Sequence, residues 1–224
     1  RVAEVIASDR SAGQLYGKVA RWVLPGNPPE DVVGREVLPL DADVQSRIVF
    51  SALPADIAKT VEWRLAEAGH VVCSNASAYR MQPDVPILLP EANADHAALV
   101  TAQREKYGWG GGGLVTNSNC TAAPVVMALA PLRRFGIQAV QMVSMQAISG
   151  AGYPGVSALD ITENVIPFIN GEEPKVEAEP RKMLGALDGD RIAMLDCVMS
   201  ATCTRVPVLD GHLVNVSVRF AEHV

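Results

Sequence analysis

Cysteine is scarce in this chain, and its four thiols, Cys73, Cys120, Cys197 and Cys203, fall at no metal-ligand spacing. No close pair is followed by a second, so no metal is expected, and the thiols are too sparse for a disulfide scaffold. A reducing cytoplasm is the compartment this usage implies. A basic excess is also missing. The formal charge is −6, with both signs mixed along the chain, so neither a nucleic acid nor an anionic membrane surface is an expected partner. The longest apolar runs reach about half the length a bilayer crossing requires. No charged-then-apolar signal opens the sequence, and it holds no internal repeat or low-complexity tract. It begins at Arg1 inside a strand-like run and stops at Val224 shortly after another, which reads as a piece of a longer protein.

What remains is a 224-residue chain, 49% hydrophobic, long enough for one large domain or two smaller ones. From Arg1 to Ser118 short apolar runs alternate with helical ones. "VAEVIASD", "RIVFSALP", "HVVCSNAS" and "VPILLPEAN" read as strands. "ADIAKTVEWRLAEAG" carries Ile57, Val61 and Leu65 at helical spacing, with Asp56 as a cap and Gly69 as a stop. "ADHAALVTAQREKYG" is a second helix, capped by Asp95, and "WGGGG" at 109–113 reads as a flexible turn without the interrupted spacing of a phosphate-cradling loop. Such alternation predicts a mostly parallel, doubly wound α/β sheet. Beyond 118 the texture changes. "GIQAVQMVSMQAISGAG" is a long β-type run, and "VMSATCTRVPVLDGHLVNVSVRF" holds two more around a hairpin-like Leu209-Asp210-Gly211 turn. Long strands with grouped helices suit an α+β domain on a mixed sheet, so the boundary is expected near Asn117–Asn119, giving units 1–118 and 119–224.

At that boundary lies "LVTNSNCTAAPVVMALAPL", a strand, a polar turn and a helix starting at Cys120. A helix start favours the thiolate, the form of cysteine that acts as a nucleophile. Taken alone, a thiol beside an apolar run is more often a core residue. His212, after Asp210-Gly211, is more often a solvated turn residue. Polar side chains inside strand-like segments sharpen the picture. Gln146 in "VSMQAISGAG" needs hydrogen-bond partners, and Arg205 in "TCTRVPV" needs an anion. Glu172 and Lys175 in "EEPK", and Arg80 in "SAYRM", read on composition as a solvated charged face.

Taken in order, these segments resemble the aspartate-β-semialdehyde dehydrogenase family, in its archaeal and fungal branch. "NSNCTAAP" matches the family's nucleophile segment, "MQAISGAG" its glutamine segment, and "RVPVLDGH" its arginine-to-histidine segment. "EEPK" follows "ENVIPFING", a run typical of that branch, while "SDRSAG" and "SALP" match cofactor-side turns. The resemblance implies a Rossmann-like NADP-binding domain and a catalytic and dimerisation domain with a large mixed sheet. It implies reversible conversion of L-aspartate 4-semialdehyde and phosphate to L-4-aspartyl phosphate through a thioester on Cys120. His212 would be the acid/base and Gln146 the orienting amide. Arg205 would hold the α-carboxylate, Glu172 the amine, and Arg80, Lys175 and Asn119 the phosphate. Ser8, Arg10 and Ser11 would meet the 2′-phosphate of NADP, with Ser51, Ala52, Leu53, Pro54, Ser149 and Gly150 along the rest of the cofactor. A homodimer or homotetramer is implied as well. The family's glycine-rich pyrophosphate turn would precede Arg1. A malonyl-coenzyme A reductase of the same family, a cysteine hydrolase and a catalytically silent fragment are the rival readings.

Overall fold

A computed structural model describes residues 1–223. Every strand pair in the first half is parallel. β1 (Val5–Ile6) pairs with β2 (Val37–Leu38), and the short helices α1 (Tyr16–Val19) and α2 (Glu30–Val33) lie between them in sequence. A second sheet has the order β3 (Ile48–Ser51), β4 (Val71–Ser74), β5 (Gly113–Thr116). Its first crossover is α3 (Ala55–Glu67); its second contains α4 (Pro90–Asn93) and α5 (Leu99–Tyr107). The expected parallel α/β arrangement is therefore present, with its strands hydrogen-bonded as two sheets.

Local details depart from expectation in instructive ways. Helix α3 stops as foreseen, at Gly69 with φ +100°, a conformation that favours glycine. Its N-cap, however, is Pro54, and Asp56 lies in the first turn, where a carboxylate meets the helix dipole without capping it. Asp95 is no cap either, because a 3₁₀ turn over Ala94–Ala98 runs straight into α5. "VPILL" forms no strand: prolines at 86 and 90 interrupt it, and only Ile87 bridges, to Thr116. Nor is "WGGGG" simply a flexible turn. A Cβ on Gly112 would sit 1.8 Å from the Ala66 carbonyl oxygen, so glycine lets the turn pack directly on α3.

The second half is built on a mixed sheet of order β10 (Leu213–Phe220), β6 (Ile137–Gln146), β9 (Val198–Arg205). β10 runs antiparallel to β6 and β9 parallel to it. Leu209-Asp210-Gly211 is thus not a hairpin turn; it carries the chain across β6 from one edge to the other. α6 (Ala122–Leu129) and α8 (Glu173–Met183) cover one face, where Val125, Val126, Val140, Met142, Val176, Met183 and Cys203 form the core. Glu173 and Glu177 of α8 accept the Cys203 and Ala201 N–H groups, closing the β9 edge against further pairing. The opposite face, with Leu213, Asn215, Val143, Gln141, Thr202 and Ser200, is exposed. Helix α7 (Ala158–Ile161) and the hairpin β7 (Ala186–Asp188) and β8 (Arg191–Ala193) complete the described elements. The first half has its own core around Leu65, Val72, Tyr79, Trp109 and Leu114. Cys197 and Cys203 are core residues, and burial pushes both thiols up; Cys73 is half-buried and also pushed up by burial. Among the described residues no helix is long and apolar enough to cross a membrane.

Candidate active site

The chain leaves β5 at Thr116 and turns into α6 through Asn117–Thr121. Asn119 shapes that turn. Its Oδ1 accepts the N–H groups of Thr121 and Ala122 at 2.8 and 3.2 Å, satisfying the helix start with the side chain three residues before it. Cys120 follows, exposed, on the wall of a cavity of about 670 Å³. Arg80, Asn119, Gln146, Gly150, Glu172, Lys175 and Arg205 line the same cavity. Residues more than 120 positions apart in the sequence thus converge on one thiol, and they come from both halves of the chain.

Glu172, just before α8, is the hub of the far wall. Its Oε1 accepts from Asn119 Nδ2 at 2.7 Å and Gln146 Nε2 at 3.2 Å, while Lys175 Nζ stands 3.7 Å from Oε2. The "EEPK" face expected to be solvated is therefore turned inward at Glu172, which is 7% exposed. Arg205 ends β9 at 5% exposure and donates through Nη1 to the Ala147 carbonyl at 2.7 Å. No carboxylate among the described residues lies within ion-pair distance of it. A buried guanidinium without a counter-ion beside an open cavity is a site for an anionic ligand.

Ala147 also fixes His212. Its N–H donates to His212 Nδ1 at 3.2 Å, so the neutral ring carries its proton on Nε2. Nε2 is buried and has no protein partner. One residue thus orients both the arginine and the histidine. Gly150 keeps the space before them open: a Cβ there would lie 2.9 Å from His212 Cε1, 3.1 Å from Nε2 and 3.2 Å from Arg205 Nη1.

The cofactor-side residues do not gather in one place. Leu53 lines the main cavity, while Ser51 and Ala52 line a second one of about 420 Å³ over the C-terminal ends of β3, β4 and β5. Pro54 caps α3 and Ser149 is exposed, and neither lines either of these two cavities. Ser8, Arg10 and Ser11 form the turn after β1, in the other parallel sheet, and line neither of these two cavities. Asn75 and Ser77, after β4, line the main cavity and were not anticipated. Two buried residues behind the wall, Glu179 and Lys182, also went unread. Only their spacing from Glu172 on a helix, with Val176 and Met183 on the same stripe, could have flagged them.

A thiol, an imidazole and an unpaired guanidinium on a mixed-sheet domain, beside a parallel α/β domain, define a semialdehyde dehydrogenase architecture. Residues 1–100 match the family model of the semialdehyde dehydrogenase NAD binding domain, and 129–224 that of the semialdehyde dehydrogenase dimerisation domain. The chain belongs to the aspartate-semialdehyde dehydrogenase family. It is 49% identical over 225 residues to aspartate-semialdehyde dehydrogenase of Archaeoglobus fulgidus, covering 100% of this chain and 65% of that protein. The Schizosaccharomyces pombe aspartate-semialdehyde dehydrogenase is 44% identical, over 99% of this chain and 64% of its own length. The crystal structure of aspartate semialdehyde dehydrogenase with NADP from Candida albicans superposes with a TM-score of 0.90 at 36% identity, covering 100% of this chain and 65% of that one. The chain thus spans about 65% of the length of such relatives.

Proposed function

We propose that this chain carries the active site of an NADP-dependent, phosphorylating aspartate-semialdehyde dehydrogenase. The reaction interconverts L-aspartate 4-semialdehyde plus phosphate with L-4-aspartyl phosphate, in lysine, methionine and threonine biosynthesis. The observation that carries this reading is the buried, unpaired Arg205 sharing one cavity with the exposed Cys120 and the carboxylate of Glu172. An amino acid offers a carboxylate for the first, an amine for the last and a side-chain carbonyl for the thiol between them.

Cys120 Sγ attacks the aldehyde carbon and then carries the acyl group as a thioester, until a phosphate oxygen attacks that carbon and frees the thiol. Held on the cofactor side, NADP would supply the hydride acceptor that oxidation of the aldehyde carbon requires. His212, with its proton on the unpartnered Nε2, donates a hydrogen bond to the oxygen of the reacting carbon and steadies the negative charge that attack by Cys120 places there. Gln146 holds Glu172 through Nε2 and orients the substrate without titrating. Arg80 and Lys175 supply charge to the phosphate, and Asn119 the amide hydrogen that its bond to Glu172 leaves free.

The residues present fit NADP. Arg10 in the Ser8–Ser11 turn has no carboxylate within ion-pair distance among the described residues, and a cation between hydroxyls suits a 2′-phosphate. Ser51 Oγ is buried without a partner, and Ser51 lines the second cavity, a polar atom suited to a ligand. Ala52, Leu53, Pro54, Ser149 and Gly150 would complete the cofactor side. The exposed face of the mixed sheet suits a second copy, giving a homodimer or homotetramer. The core around Leu65, Val72 and Leu114 lies wholly before 117, which supports a division near 117–119 into cofactor and catalytic units; Ile87 alone among the buried residues of the mixed-sheet core comes from before it. Four free cysteines fit a reducing cytoplasm.

The test is phosphate-dependent reduction of NADP with L-aspartate 4-semialdehyde, followed by absorbance of the reduced nicotinamide. Turnover that requires phosphate supports the proposal. Turnover with malonyl-coenzyme A and NADPH in its place, or aldehyde oxidation indifferent to phosphate, would overturn it.

A further inference from the structure

Behind the cavity wall, Glu179 is buried at 2% exposure and touches two members of the site at once. Its Oε1 accepts from Arg80 Nη1 at 3.0 Å, and its Oε2 accepts the backbone N–H of Asn119 at 2.6 Å. The first contact sits on a cation of the cavity, the second on the residue that precedes the nucleophile. Lys182, one turn further along α8, donates at 2.6 Å to each of the carbonyls of Arg80, Gln82 and Val85. Helix α8 therefore grips residue 80 twice, by its guanidinium and by its backbone. Arg80 is also held by Nη2 on the Asn75 carbonyl at 2.9 Å, while its Nε is buried with no partner. That idle donor belongs to a side chain 8% exposed that lines the cavity.

We infer that Glu179 is a positioning residue and internal counter-charge for the anion subsite: it holds Arg80 and Asn119 in register and keeps Arg80 partly neutralised, so that phosphate is bound weakly enough to leave. The inference rests on the proposed phosphate chemistry of this cavity. Its physical content is competition. A carboxylate and a phosphate cannot both take full advantage of one guanidinium, and removing the carboxylate raises the net charge facing the cavity by one. The Asn75 carbonyl still orients Arg80 when Glu179 is neutral, so charge and not disorder dominates the change.

The experiment is protection of Cys120 from iodoacetamide by inorganic phosphate. The labelled peptide is followed by mass spectrometry in the parent protein, Glu179→Gln, Arg80→Ala and the double variant. The half-protecting phosphate concentration does not depend on how fast each variant alkylates, and a purely structural role would lower the unfolding temperature without moving it. Glu179→Gln is expected to lower that concentration by about tenfold, the scale of one charge removed near a partly screened site. In the Arg80→Ala background the same substitution should change it less than about twofold. An unchanged or raised concentration in Glu179→Gln, or an equal fall without Arg80, overturns the inference. If Glu179→Gln does not fold, Glu179→Met, which removes the same charge with a side chain of similar length, serves, and it must lower the concentration too. Phosphate that fails to protect the parent protein overturns the phosphate reading itself, a result distinct from protection indifferent to Glu179.

Discussion

Substituting Gly150 by alanine tests the site's geometry with one methyl group. The φ of Gly150 lies outside the left-handed region, so its backbone tolerates a side chain. In open space a glycine-to-alanine change of this kind stabilises by about 0.4–1 kcal/mol. Here the new Cβ would meet His212 Cε1 at 2.9 Å and Arg205 Nη1 at 3.2 Å. Carbon atoms settle at about 3.5–4.0 Å, so the imidazole must retreat by roughly half an ångström or more. Its retreat strains the bond from Ala147 N–H, and the guanidinium is displaced along with it. Misplacing reacting groups by about 1 Å can reduce rates about a hundredfold, so half of that shift predicts a fall in kcat/KM of about tenfold, ~1.4 kcal/mol. The assay is phosphate-dependent NADP reduction across a range of semialdehyde concentrations, with thermal unfolding measured beside it. Gly34→Ala, with nothing within 4 Å of the added atom, is the control and should behave as the parent. A Gly150→Ala protein of parental stability whose kcat/KM stays within about twofold would refute the convergence of His212 and Arg205 on the reacting group.

Two further outcomes follow from the same geometry. Arg205→Lys should weaken substrate binding by about 1–3 kcal/mol, because lysine keeps the charge but loses the planar fork; an unchanged KM for the semialdehyde removes Arg205 from the substrate site. Asp84 tests the fold under acid. Burial alone would raise its carboxyl, but hydrogen bonds from Lys106 and Tyr107 at 2.7 and 2.5 Å outweigh that and hold it below its ordinary value. A depressed carboxyl contributes stability above the ordinary carboxylate range and loses it as pH falls through the lowered value. The stability gap between the parent and Asp84→Asn should therefore be widest near about pH 7 and narrow in acid, and a gap constant down to about pH 3 contradicts the assignment.

Much of the molecule was legible because its signals are local. The apolar spacing of Ile57, Val61 and Leu65 set α3, and glycine at 69 stopped it. Cys120, Gln146 and Arg205 stood out as polar groups in apolar or helix-start contexts, and the structure brings all three to one cavity. What failed was non-local. The Asp-Gly turn at 210–211 signals a reversal, but nothing in it says that β9 and β10 each pair with β6 rather than with each other. Asp56 and Asp95 looked like caps because capping is usually local, yet Pro54 and a preceding 3₁₀ turn took those positions. "EEPKVEAEPRK" reads as a solvated run on composition, yet three of its seven charges are buried and the other four are only partly exposed. Glu172, Glu179 and Lys182 are buried because their partners, Asn119, Arg80 and the carbonyls of 80–85, lie 53 to 102 positions away along the chain. Burial of a charge is set by those distant partners, and no window of sequence contains them.

The account stands or falls on the covalent role of Cys120, and intact-protein mass spectrometry tests it most directly. The protein is mixed with L-aspartate 4-semialdehyde and NADP without phosphate, quenched in acid, and the adduct is mapped by proteolysis. An aspartyl group on Cys120 that disappears when phosphate is added, and never forms in Cys120→Ala, is the predicted result. Turnover with no adduct on Cys120, or activity of even a few per cent in Cys120→Ala, would contradict the thioester and the site built around it.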